Sequence, residues 1–80
     1  MSIIVNANKA HETACNLSEM NRQVAVAQAI AAGGGSSVVT LAIKNAEIVH
    51  YRNCVASALA NGVQSGIFRA ALRELGTGGQ

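Results

Sequence analysis

The sequence predicts an all-α protein, on three observations. No proline interrupts its 80 residues, alanine dominates its apolar content, and apolar positions recur at helical spacing over two long stretches. Hydrophobic residues make up 50% of the chain, but aromatics only 2% and charged residues 12%. That balance excludes the highly charged composition of a disordered chain. It also makes a monomeric core marginal, because a chain this short buries little surface and alanine removes little apolar area from water. The expected architecture is two long helices forming a hairpin within one domain spanning residues 1–80, completed as an oligomeric bundle.

The first helix is expected from about Asn8 to Ala32. Ala10, Ala14, Leu17, Met20, Val24, Ala27 and Ala31 form its apolar stripe, while Lys9, Glu12, Asn16, Glu19 and Gln23 occupy the opposite face. Gly33-Gly34-Gly35 ends it, since each glycine costs about 1 kcal/mol in a helix interior. Ser36 or Ser37 is the expected cap of the second helix, accepting a bond from an orphan backbone N–H.

The second helix is expected from near Val38 to at least Asn61. Val38, Leu41, Ile48, Val55 and Leu59 mark its apolar face. From there two courses are open: a stop at Asn61-Gly62 followed by a third short helix, or continuation through Gly62 and Gly66 to Leu75. Residues 76–80 are expected to form a tail without order. Leu17, Val24, Leu41, Ile48, Val55, Leu59, Phe68 and Leu72 are the expected apolar body.

A second pattern crosses this region at a spacing of four: Ala42, Ala46, His50, Cys54, Ala58, Gly62, Gly66 and Ala70. Small residues in a row let another helix approach closely. Ala42, Ala46, Ala58, Gly62, Gly66 and Ala70 are therefore the expected self-association contacts.

The net charge of +2 is too mild to indicate a nucleic-acid surface by itself. Two cysteines do not make a secreted disulfide framework, so Cys15 and Cys54 read as reduced thiols of a cytoplasmic protein. The N-terminus has no basic start followed by a long apolar region, and no signal peptide is expected. Gln23 to Ile43 carries no charge, but glycines and serines at its centre favour two helices over an integral membrane segment.

The sequence His-x-x-x-Cys occurs twice, as His11 with Cys15 and as His50 with Cys54. At this spacing both members share one helical face, and two facing pairs could supply four ligands to a tetrahedral zinc. Buried cysteines with hydrogen-bonded histidines account for the same residues, and that reading carries more weight. His11-Glu12-Thr13-Ala14-Cys15 lacks the second histidine of a zincin, and Gly33 to Ser37 lacks the lysine of a phosphate loop. A cysteine nucleophile needs a base and usually an orienting carboxylate, yet the chain has no Asp. The expectation is therefore no enzyme, no cofactor and no small-molecule substrate.

A DNA-binding alternative rests on Ala58-x-x-x-Gly62-Val63 followed by Phe68 and Leu72, the spacing of a helix-turn-helix. Gly62 would make the turn and Ser65 to Leu75 the recognition helix, with Gln64, Ser65, Arg69 and Arg73 at the nucleic acid. Few basic residues elsewhere would grip phosphates.

Leu41-Ala42 before Asn45-Ala46, then Ala56, Ala58 and Gly62-Val63, on a helix-loop-helix plan, resembles the small alanine-rich proteins of the R-body (Reb, killing-trait) family. The likeness covers Val24 to Ala71; Glu47-Ile48-Val49-His50-Tyr51 stands where that family has a Gln-rich run, and the N-terminal part departs from it. The resemblance implies a subunit of a protein ribbon that coils and extends, with no catalytic residues. It also implies an acid response, for which His11 and His50 would titrate nearest neutrality. The favoured function is thus a self-associating structural subunit of an oligomer or ribbon-like assembly.

Overall fold

Three helices make up the computed structural model: α1 (Ile3–Ala32), α2 (Ser36–Asn61) and α3 (Gly66–Glu74). It describes residues 3–76, with side chains from Asn8 onward; most of the tail expected to lack order, Thr77 to Gln80, lies outside the described residues. Among the described residues there is no strand, and no helix is long and apolar enough to cross a membrane.

Glycine places both breaks. Gly33, Gly34 and Gly35 have φ of 72°, 101° and 93°, a region that L side chains rarely adopt. The amide of Gly33 still bonds the carbonyl of Ile30 at 3.2 Å, closing the last turn of α1. Gly35, rather than Ser36 or Ser37, occupies the cap position of α2, and no side chain caps it. The helix starts earlier than expected because the reversal is complete within the three glycines, so both serines join the first turn.

α2 stops at Asn61, which decides between the two courses left open by the sequence. Gly62 takes the left-handed conformation at φ 68° and ψ 24°. Its amide and that of Val63 both bond the carbonyl of Ala58, satisfying an acceptor at the helix end. Asn61 adds a bond from Nδ2 to the carbonyl of Ser57 at 2.9 Å. α3 follows after a short turn and closes through bonds from the Leu75 amide to the carbonyls of Ala71 and Leu72.

α1 packs lengthwise on α2, with His11 beside Ser57 and Ser18 beside His50, so the two run in opposite directions. α3 packs on α2, and its Phe68 ring meets the His11 imidazole edge-on at 5.6 Å between centroids. The whole measures 50 × 25 × 13 Å, little more than one helix diameter in its thinnest direction.

This arrangement corrects the expected apolar body. Of those residues only Leu72 is buried; Ile48, Val55 and Phe68 are half-buried, and Leu17, Val24, Leu41 and Leu59 are exposed. The side of α1 that meets α2 carries His11, Cys15, Ser18 and Arg22, and is neither the predicted apolar stripe nor the predicted polar face. Small side chains bring two helix backbones close, whereas large ones such as Leu17 and Val24 would hold them apart.

Candidate functional site: a His–Cys–Ser seam between α1 and α2

The seam is built from two copies of one short pattern, His-x-x-x-Cys-x-x-Ser. The first is His11, Cys15 and Ser18 on α1; the second is His50, Cys54 and Ser57 on α2. Residues four and then three apart fall on one helical face, so each helix presents all three side chains to its neighbour.

Because the helices are antiparallel, each histidine meets the serine of the other copy. His11 Nδ1 lies 3.0 Å from Ser57 Oγ, and His50 Nδ1 lies 2.8 Å from Ser18 Oγ. Asn53 Nδ2 donates to Ser18 Oγ at 3.3 Å, and Asn61 Nδ2 approaches Ser57 Oγ at 3.4 Å. Ser18 is buried, so its hydroxyl needs these partners. Among the described residues no buried side-chain nitrogen or oxygen is left without one.

The cysteines sit between the two rungs. Cys15 Sγ lies 3.5 Å from His11 Nε2, and Cys54 Sγ lies 3.8 Å from His50 Nε2. Cys54 is almost completely enclosed, and Cys15 is half-exposed. Burial, and then hydrogen bonding with the Cys15 thiol, pushes the Cys54 thiol up to about 12. Both cysteines are free thiols. Ala58, fully buried, continues the seam toward α3.

The four residues proposed from the sequence as zinc ligands therefore lie along one seam. No group of three or more His, Cys, Asp or Glu among the described residues could hold a metal ion, however. One ring nitrogen of each histidine is already joined to a serine.

The small-residue row divides along its length. Ala58 is enclosed within the chain, while Ala42 and Ala46 line an open cleft of about 390 Å³ between α1 and α2. Ala25 and Val49 also line it, with Ser18, His50 and Asn53 toward its polar end. Gly62 and Gly66 make no close approach within the chain, since a Cβ at either would meet nothing within 4 Å; Ala70 is half-buried.

Of the residues assigned to the DNA-binding alternative, Gln64, Arg69 and Arg73 are exposed and Ser65 is half-buried at the N-cap of α3. The helix they flank runs Gly66–Glu74, close to the expected Ser65 to Leu75.

On α1 the Arg22 guanidinium pairs with Glu19 and holds that carboxyl below its ordinary range. As a half-buried pair one turn apart at the helix surface it contributes little stability.

Reasoning from the sequence singled out the His–Cys spacing but missed Ser18 and Ser57. The signal was available, since a serine follows each cysteine at the same interval of three.

Taken together, the described residues define an all-α protein of two long helices and one short helix, zipped along a His–Cys–Ser seam. Comparison with protein-family models, with curated proteins and with solved structures returns no match for this chain.

Proposed function

We propose that this chain is a structural subunit whose helical hairpin self-associates with further copies into an oligomer or ribbon-like assembly. One observation carries the reading: many large apolar side chains are left more than half exposed, and the three on α1 form one stripe. Leu17, Met20 and Val24 on α1 are 59%, 61% and 53% exposed, and they recur at steps of three and four on one face. Val38, Leu41, Val49 and Leu59 on α2 and Ile67 on α3 are exposed as well.

Covering such side chains is worth on the order of 1 kcal/mol or more each. Within a slab one helix thick there is no second layer to cover them.

The contact surface in this reading shifts from the small-residue row to the apolar faces. Ala58 is enclosed by its own chain and is not available to a partner. Ala42 and Ala46 keep a role as the floor of the cleft, where a branched side chain of a second copy would seat.

The test is solution mass by light scattering. The wild-type chain is expected to exceed the mass of one chain and to grow with concentration. Leu17→Glu with Val24→Glu should return it to a single chain while keeping its helical circular dichroism. A wild-type mass of one chain at all concentrations would refute the reading.

A second reading is supported by the turn between α2 and α3, which carries Gln64, Arg69 and Arg73 exposed beside it. A small DNA-binding regulator would be retained on duplex DNA in a salt-dependent way, and Arg69→Ala with Arg73→Ala would abolish that retention.

A further inference from the structure

We propose that Cys15 and Cys54 form a reversible intrachain disulfide, by exchange with a low-molecular-weight disulfide, which staples α1 to α2. This does not depend on self-association. It rests on the register of the seam. Four residues on from His11 and three back from Ser57 lead to Cys15 and Cys54; three back from Ser18 and four on from His50 lead to the same pair. Two hydrogen-bonded rungs therefore bracket the cysteines from either side and hold them opposite each other.

The surroundings suit a bridge. A disulfide requires Cα atoms within roughly 7 Å of each other. The side chains that meet across the seam on either side of this level are His, Ser and Asn, and the Cys54 thiol itself hydrogen-bonds with the Cys15 thiol. The chain has no third cysteine to compete within it. Each thiol also has an imidazole within reach to accept its proton, His11 at 3.5 Å from Cys15 and His50 at 3.8 Å from Cys54.

Exposure decides the order of events. Cys15 is half-exposed and meets the reagent first, while Cys54 is enclosed and acts second. The Cys15 thiolate attacks one sulfur of the small disulfide, breaking its S–S bond and releasing one small thiolate. Cys54, neutral at rest, passes its proton to the His50 imidazole as it attacks the Cys15 sulfur and releases the second small thiolate. The two protein protons end on the two released thiols. The protein dithiol is oxidised by two electrons and the small disulfide is reduced by two.

The bridge would close a long loop, holding most of α2 to α1 and restricting the unfolded chain. It would make the cohesion of the two long helices respond to the thiol–disulfide balance of the surroundings.

The experiment treats the full chain with oxidised glutathione, alkylates the remaining thiols and reads the intact mass, the non-reducing gel and Tm. The expected product has lost the mass of two hydrogens, carries no glutathione and no alkyl group, and runs as a single chain. Its Tm should rise by about 10–20 °C and fall back with dithiothreitol. Cys54→Ser should stop at one glutathione on Cys15, and Cys15→Ser should leave its remaining thiol unreacted over the same period. If either variant loses its helical signal, a linked Cys15–Cys54 peptide from the wild-type digest decides instead. A lasting glutathione adduct on the wild type, a covalent dimer, an unreacted dithiol, or a bridged chain with unchanged or lowered Tm would overturn the proposal.

Discussion

At the scale of single residues, the seam sets polar groups where a small protein usually places aliphatic ones. That is tolerable because the groups are paired: an unpaired buried hydroxyl or imidazole would cost about 1–3 kcal/mol, whereas a satisfied one is close to neutral or favourable. Cys54 gives a measurable consequence. Its thiol is pushed from its ordinary value of 9.0 to about 12, so the folded chain favours the neutral form. The stabilisation is complete below pH 9 and is lost as pH rises from there toward 12. Cys15, His50 and Glu19 face this thiol. The expectation is a Tm that falls through this alkaline window, and falls less steeply in Cys54→Ala; equal slopes for the two proteins would contradict it. Sequence spacing exposed the two His–Cys pairs at this scale. The serine partners became visible only once each histidine was seen to reach across to the opposite helix.

At the scale of elements, the helices are punctuated by glycines whose conformations are not interchangeable with those of other residues. Gly62 is the clearest case. Its left-handed φ stops α2, and a Cβ there would meet no neighbour, so substitution acts through backbone strain and not through crowding. Gly62→Ala is expected to lower stability by about 1 kcal/mol, and Tm by roughly 4–8 °C. A matching substitution at Gly66, which lies at the first position of α3 without a positive φ, should change Tm far less. Equal losses at the two sites in thermal melts would argue against strain as the cause. The break at Gly62 was one of two courses open from the sequence, because Asn-Gly ends many helices but a small-residue row also favours continuation. The two amide bonds to the Ala58 carbonyl are what settle it.

At the scale of the whole molecule, the faces are arranged opposite to the usual soluble pattern. The stripe of Leu17, Met20 and Val24 was recognised as apolar, and it is continuous, but it is left more than half exposed. If further copies cover it, folding and association are linked by mass action, and Tm should climb with protein concentration over several decades. A Tm independent of concentration would mean that the single chain is stable with these faces open. By itself the sequence determined the helices and the places where they can end, because helix propensity and glycine geometry act over a few neighbouring residues. Which face of α1 would meet α2 was decided only by the tertiary structure. Periodicity marks a stripe as apolar but does not say what covers it, and a close antiparallel contact selects the narrow His–Cys–Ser side, where small groups fit and, among the described residues, every buried side-chain nitrogen and oxygen finds a partner.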